Sequence, residues 1–208
     1  MVRFSDDTTV EGSLLIGADG SKSRVRKQFL PEHNLIDTEG RWFYGKTTIT
    51  SSLEDQLHTQ AQHGLTLVQD RSKDIPLTLY MDQVRFSSND FEHELRLPDS
   101  YIYWVLSSQK PAFSLPDDQL LKNSHDEAAV MTQTLTTHWD PSFKALFEMQ
   151  DVEQTSVLKI DNMKPDLPKW ETQGVTLLGD GVHAMSPTVG IGAVTALRMW
   201  GEFGEGFG

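Results

Sequence analysis

The sequence contains no cysteine among its 208 residues. Without thiols, the chain can form no disulfide framework, no thiolate nucleophile and no cysteine-based metal site. It also lacks any apolar run close to the roughly 20 residues that a membrane helix requires, and its first residues carry no apolar signal segment. We therefore expect a cytoplasmic protein with no membrane segment in this chain.

Positive charge is scarce as well. The chain has 18 Lys and Arg against 30 Asp and Glu, which gives a formal net charge of −12 at pH 7. A nucleic-acid-binding surface needs clustered Lys and Arg, so this balance argues against a nucleic-acid partner. No Ser-His-Asp set is detectable by spacing, and no metal ligand lies at a suitable spacing from His183, so neither a catalytic residue nor a metal site is predicted. The remaining histidines are scattered and are predicted to lie on the surface: His33, His58, His63, His93, His125 and His138.

The most informative segment lies near the carboxyl end. The apolar run Val175–Leu178 predicts a buried strand, and the chain then reads Gly179-Asp180-Gly181-Val182-His183. In an open α/β sheet, the mouth of such a strand is where nucleotide-like ligands bind. Asp180 is acceptor-only when ionised, so it suits a sugar hydroxyl better than a phosphate. Further on, Gly190-Ile191-Gly192 would let backbone N–H groups approach an anionic or flat ligand, and residues 193–200 predict a helix whose positive amino end faces the same spot.

A similar arrangement is predicted at the amino end. A hairpin joins residues 2–4 to a strand over 10–16, and this strand leads into Gly17-Ala18-Asp19-Gly20. A helix is then predicted over 22–30, with Ser21 as its N-cap and a proline after its last residue. Both ends of the chain therefore place an acidic residue and a glycine after a strand.

The middle of the chain is rich in β-branched and aromatic residues, which favour strands. Strands are predicted over 41–50, 65–69, 75–80, 101–107 and 157–160. Capping signals at Ser124 and Asp140 predict helices over 125–138 and 141–149. These elements predict a mixed α/β chain with a strand-rich centre between two ends that bind a ligand.

The two glycine-containing ends, read together, point to a known family. IGADGSKSRVR at 16–26, followed by LLGDGVHAMSPTVGIG at 177–192, resembles the DG and GD motifs of the FAD-dependent aromatic-hydroxylase family of flavoprotein monooxygenases. The resemblance implies an α/β (mixed α+β) fold: residues 1–30 and 170–208 would be remnants of a Rossmann-like FAD-binding domain, and residues 31–169 an inserted antiparallel or mixed β-sheet substrate domain. The family's amino-terminal strand–GxGxxG–helix unit has no counterpart in this sequence, so the resemblance implies a fragment.

By the same resemblance, the cofactor is FAD and the reductant is NAD(P)H, and the whole enzyme hydroxylates an aromatic or other electron-rich small molecule. The residues implied to bind the cofactor are Asp19, Gly20, Arg24, Gly179, Asp180, Pro187, Gly190, Ile191 and Gly192. Two alternatives stay open. The chain would be an inactive truncated relic or interaction fragment that binds no FAD, or part of a related flavin-dependent epoxidase or reductase that acts on an isoprenoid.

Several side chains admit two interpretations. Arg24 and Arg26 would bind phosphate groups of NAD(P)H or FAD, or would lie on a solvated helix face. His183 would cap its loop or lie near the flavin. In the GD helix, Val194 and Met199 stand where the family usually has Asn and Asp. The strand aromatics would belong to the core, the more frequent outcome, or would line an aromatic substrate pocket: Trp42, Tyr44, Phe86, Tyr101, Tyr103 and Trp104.

Overall fold

The computed structural model describes residues 1–86, 97–166, 168–170, 174–187 and 190–205, apart from the side chains of 202–205. The predicted surface position of His93 lies outside the described residues. The chain divides into two compact units, one made of Met1–Thr38 with Ile160–Gly208 and the other of Glu39–Lys159. We call them the terminal unit and the central unit.

The elements follow the chain in this order: β1 (Val2–Arg3), β2 (Thr9–Val10), β3 (Leu15–Gly17), α1 (Arg24–Phe29), β4 (Leu35–Thr48), α2 (Ser51–Gln56), β5 (Thr66–Asp70), β6 (Leu77–Val84), β7 (Tyr101–Gln109), α3 (Asp117–Leu120), α4 (His125–Leu135), α5 (Pro141–Glu148), β8 (Ser156–Met163), β9 (Val175–Leu177), α6 (Asp180–His183) and α7 (Gly192–Glu205). The predicted mixed α/β class is confirmed. None of the helices in the described part of the chain is long and apolar enough to cross a membrane.

The terminal unit contains two small sheets. β1 pairs antiparallel with β2, and β3 pairs parallel with β9, with Leu15 opposite Val175 and Gly17 opposite Leu177. The predicted single strand over 10–16 is wrong. β2 at its start pairs with β1, β3 at its end pairs with β9, and residues 11–14 between them belong to neither strand. The strands of the two motifs thus share one sheet, and most of their residues are half-buried, although the strand over 175–178 was predicted to be buried.

The central unit is built on a five-stranded sheet of order β5-β6-β7-β4-β8. Side chains alternate along β4, so that Phe43, Gly45 and Thr47 are buried while Trp42 and Tyr44 are half-buried. The buried face packs on α2, α4 and α5 around Trp104, which is fully buried and meets Phe147 edge to face at 5.1 Å. Trp104 therefore belongs to the core.

Capping residues determine where two helices of the central unit begin. α4 begins with the predicted capping box, in which the Ser124 hydroxyl accepts from the Glu127 N–H and the Glu127 carboxylate accepts from the Ser124 N–H. α5 begins at Pro141, as predicted. α4 ends at Leu135, three residues earlier than predicted, and α2 was not predicted.

Candidate functional site

A cleft of about 620 Å³ lies in the terminal unit, beside the ends of β3 and β9. Its lining is mostly glycine, alanine and other small residues: Ala18, Gly20, Leu178, Gly179, Asp180, Met185, Ser186, Pro187, Gly190, Gly192, Ala193 and Ala196. Six of the nine residues predicted to bind a cofactor are in this set. Asp19, Arg24 and Ile191 are not.

Parallel pairing explains how residues so distant in sequence meet here. Because β3 and β9 run in the same direction, the residues that follow each strand emerge at one edge of the sheet. Ala18 and Gly20 follow β3, and Leu178 to Asp180 follow β9. The carboxyl edge of parallel strands is where α/β proteins bind nucleotide-like ligands.

Close backbone packing requires glycine at two positions beside the cleft. A Cβ atom on Gly17 would lie 2.7 Å from the Leu177 side chain and 2.8 Å from that of Val25. A Cβ atom on Gly181 would lie 2.7 Å from the Gly17 carbonyl oxygen, which already accepts the Leu178 N–H at 3.0 Å. Both approaches are shorter than a side chain tolerates, so glycine at 17 and 181 lets the two motifs touch.

Two other glycines shape the cleft wall. Gly179, at φ 58°, turns the chain from β9 into α6, and Gly190, at φ 67°, precedes α7. Both conformations are in the left-handed region that favours glycine. Space around Gly190 is open toward the described residues, since a Cβ atom there would have none of their atoms within 4 Å beyond its chain neighbours. A flat ligand can therefore approach the backbone at this point.

Asp19 serves helix α1. Its carboxylate accepts from the Ser23 hydroxyl, from the Arg24 N–H at 2.6 Å and from the Val25 N–H at 3.4 Å. Burial of Asp19 by itself raises its pKa, but these hydrogen bonds outweigh that effect and hold the pKa below its ordinary value. The ionised side chain thus caps the helix, and its neighbour Gly20 lines the cleft. A direct contact of Asp19 with a cofactor stays a prediction.

The two arginines of α1 have different surroundings. Arg24 is exposed and lies outside the cleft lining, so its predicted contact with phosphate remains untested. Arg26 is 1% exposed and donates from Nη1 to the Gly181 carbonyl at 3.1 Å. The prediction of a solvated helix face is therefore wrong for Arg26, because the helix turns this side chain toward α6.

Two histidines also differ from their predicted positions. His33 was predicted on the surface but is 4% exposed, and its Nε2 lies 2.9 Å from the Val182 carbonyl. His183 lies in α6 rather than in a loop, with Nε2 2.6 Å from the Met199 sulfur. Its Nδ1 is buried without a hydrogen-bond partner among the residues that the structure describes.

Sequence reasoning missed Arg26 and His33 as neighbours of α6, since nothing in the local pattern marks a contact across 155 or 149 positions.

A cluster in the central unit contains the residue types of a hydrolase triad. His138 Nε2 lies 2.7 Å from Asp70 Oδ2 and 3.4 Å from Ser72 Oγ. A proton relay uses the two ring nitrogens separately, whereas here both neighbours approach Nε2. Burial alone would raise the pKa of Asp70, but hydrogen bonds from Ser72, Trp139 and His138 outweigh it and hold the pKa well below its ordinary value. The ionised carboxylate therefore suits a structural acceptor. Among the described residues, no group of three His, Asp or Glu could hold a metal ion.

The cleft residues suit a nucleotide-type cofactor such as FAD. Small residues and open space at Gly20 and Gly190 leave room for a flat ring beside the backbone. Asp180 supplies an acceptor for hydroxyl groups. α7 starts at Gly192 in the cleft wall, so its amino end favours an anionic group there. This geometry is compatible with a dinucleotide-like cofactor at the carboxyl edge of β3 and β9.

The comparison with protein families identifies the chain more closely. The model of the family described as FAD binding domain matches residues 2–198. The chain therefore belongs to this family, and the predicted kinship with FAD-dependent monooxygenases is confirmed.

Among similar proteins is a dual O-methyltransferase/FAD-dependent monooxygenase of Phaeosphaeria nodorum, 39% identical over 98% of this chain and 24% of its own length. A protein of the same description from Cercospora beticola is 36% identical over 93% of this chain and 24% of its own length. The chain thus spans about a quarter of these relatives.

Solved structures show the same fold. A Photorhabdus luminescens protein described as an FAD-containing monooxygenase superposes with a TM-score of 0.77 at 33% identity, over 94% of this chain and 51% of that one. Klebsiella pneumoniae HpxO, solved with FAD and uric acid, gives a TM-score of 0.63 at 20% identity, over 93% of this chain and 42% of its own. The latter likeness concerns the fold alone.

Proposed function

We propose that this chain forms part of an FAD-dependent monooxygenase and that its cleft holds FAD. The observation that carries the proposal is the parallel pairing of β3 with β9, which brings Gly20 and Asp180 to one cleft. NAD(P)H would be the reductant, and an aromatic or other electron-rich small molecule the substrate. The predicted cytoplasmic location stays a prediction.

The bound flavin would supply the redox chemistry, including reaction with dioxygen. The chain's own residues would bind and orient it. Asp180 would accept hydrogen bonds from ribityl or ribose hydroxyls, and the amino end of α7 at Gly192 would stabilise the pyrophosphate. Pro187 and Gly190, both in the cleft lining, would place backbone beside the ring system.

The two units would divide the work. We propose that the terminal unit supplies part of the FAD-binding domain and that the central unit supplies the substrate domain. The half-buried Tyr44 and the exposed Tyr103 support this division, because they lie on the sheet face opposite the Trp104 core. Burial, together with the nearby Tyr44, raises the pKa of Tyr103, so its hydroxyl stays protonated and able to donate a hydrogen bond.

Titration of the purified chain with FAD tests the cofactor assignment. Asp180→Ala should weaken binding about ten- to a hundredfold, since it leaves a ligand hydroxyl without a charged acceptor. Gly192→Val should weaken binding at least as much by adding a branched side chain in the cleft wall. Asp55→Ala, which removes an exposed carboxylate on α2, is the matched control and should bind FAD like the parent.

Flavin absorbance and fluorescence quenching give the dissociation constants. A colourless parent chain that takes up no added FAD would contradict the proposal for this chain and favour the inactive relic. Equal affinities for the parent and Asp180→Ala would show that the cofactor does not lie against the end of β9.

A further inference from the structure

Helix α6, which carries Asp180 into the cleft, has little stability of its own. It is a single turn of four residues, contains Gly181 and has no side-chain cap at Gly179. A free helix of this length does not form in water, because its few hydrogen bonds cannot offset the cost of nucleation. Its backbone must therefore be held from outside.

Two buried side chains contact its carbonyl groups. Arg26 Nη1 donates to the Gly181 carbonyl at 3.1 Å, and His33 Nε2 lies 2.9 Å from the Val182 carbonyl. Since a carbonyl oxygen only accepts, the His33 tautomer must carry its proton on Nε2. Just after α6, the Ala184 carbonyl accepts a hydrogen bond from the backbone N–H of Met163 at 2.7 Å.

Burial makes these two contacts specific. Arg26 is 1% exposed and His33 is 4% exposed, so neither side chain can exchange its carbonyl partner for bulk water. Neither residue lines the cleft. Their hydrogen-bond contacts with the α6 carbonyls are therefore a route by which they can affect a ligand that they do not touch.

We propose that Arg26 and His33 are positioning residues of the cofactor cleft, which hold the carbonyls of Gly181 and Val182 and thereby fix Asp180 in the cleft wall. The segment from Asp19 to Arg26 then acts on the cleft mainly by supporting α6, because Asp19 caps α1 and α1 presents Arg26 to α6. We call the contacts of Arg26 and His33 with the α6 carbonyls the brace. The effect on FAD binding rests on the function proposed above, whereas the support of α6 by Arg26 and His33 is independent of that function.

Amide hydrogen exchange in the chain without FAD tests the brace directly. The N–H groups of Gly181, Val182 and His183 bond to Leu178 and Gly179 within the turn, so they report its opening. His33→Leu and Arg26→Met should each speed their exchange about tenfold, as expected for the loss of one buried hydrogen bond. His33→Gln retains a donor near the position of Nε2 and should restore slow exchange.

The controls separate a local effect from general loosening. His63→Leu repeats the histidine change at an exposed side chain, and Lys27→Met removes an exposed cation next to Arg26 on α1. Both should leave exchange in α6 unchanged. Amides of β7 in the central unit should keep their parent rates in every variant. Unchanged exchange in α6, equal acceleration in β7, or no restoration by Gln would overturn the brace.

FAD titration then tests the link to the cleft. Variants with faster exchange should bind FAD about tenfold more weakly, and His33→Gln should bind nearly as tightly as the parent. If the parent binds FAD and the loosened variants bind it equally well, the positioning role is wrong while the proposed function stands. If the parent binds none, the proposed function fails, and exchange alone decides the role of the brace.

Discussion

The two units of this chain are stabilised in different ways. The contiguous hydrophobic cluster, from Phe43 to Phe147 in sequence, lies wholly within the central unit. In the terminal unit, β1, β2, β3 and β9 have only two or three residues each, and α6 is a single turn. Gly17 and Gly181 lie in close contact with neighbouring atoms. The buried hydrophobic residues described in the terminal unit are few and lie outside that cluster: Ile160, Met163, Leu177, Val182 and Ala184. Apolar burial therefore stabilises the central unit, whereas close backbone contacts and hydrogen bonds to carbonyls shape the terminal unit.

This difference suits a division between scaffold and ligand site. A wall of small residues lets a flat cofactor approach the backbone, but it buries little apolar area. Three apolar side chains of α7, Val194, Leu197 and Trp200, are correspondingly exposed. The same substitution should thus have very unequal effects in the two units, and opposite effects at closely packed and open positions of the terminal unit.

Tryptophan truncation should show the largest contrast. Trp104→Ala removes a fully buried ring that also donates to Thr47 at 3.1 Å, and should lower the free energy of unfolding by about 3–5 kcal/mol. Trp200→Ala, at a ring that is 58% exposed, should change it by less than about 0.5 kcal/mol. Urea denaturation of both variants measures the difference. Comparable losses would show that the apolar face of α7 is covered, and would remove the contrast.

Glycine-to-alanine changes should differ in sign. Gly181→Ala drives a methyl group against the Gly17 carbonyl and should destabilise the terminal unit by about 1–3 kcal/mol. Gly201→Ala adds a methyl group on α7 where no atom lies within 4 Å, and should stabilise it by about 0.5–1 kcal/mol. Thermal unfolding followed by circular dichroism gives both values. A neutral Gly181→Ala would mean that the two motifs do not touch in solution.

Acid sensitivity should be the smallest effect and should lie in the central unit. The hydrogen bond from buried Arg41 lowers the pKa of Asp117 from 3.8 to about 2, against a smaller opposing effect of burial and with help from Lys110. A carboxylate whose pKa is lowered by folding stabilises the folded state above pH 3.8, and this stability is lost as the pH falls through about 2. Asp117→Asn should therefore flatten the dependence of the melting temperature on pH in this window.

The neighbouring exposed residue provides a control for that measurement. Asp118→Asn removes an adjacent carboxylate of α3 and should retain the parent's acid response. An unaltered pH dependence in Asp117→Asn would show that the ion pair with Arg41 contributes nothing to acid stability.

Local signals in the sequence predicted much of this architecture. The capping residues Ser124 and Asp140 marked their helices correctly, because a cap acts within one turn. The strand ends of both motifs were also predictable, since glycine and aspartate after an apolar run identify a strand end, although the strand predicted over 10–16 is two strands. The six cleft-lining residues were predicted through the family resemblance. Short elements were not: α2 and α6 lack enough residues to show a period, and packing rather than propensity forms them. The buried positions of Arg26 and His33 depend on partners far along the chain, which no local pattern reveals.

The parallel pairing of β3 with β9 also determines the order in which the chain can fold. Leu15 cannot meet Val175 until a ribosome has made all the residues between them, and closing so long a loop carries a large entropic cost. The central unit, contiguous in sequence between these strands, can condense first and bring their ends closer. The cleft can then form only after the central unit has been synthesised.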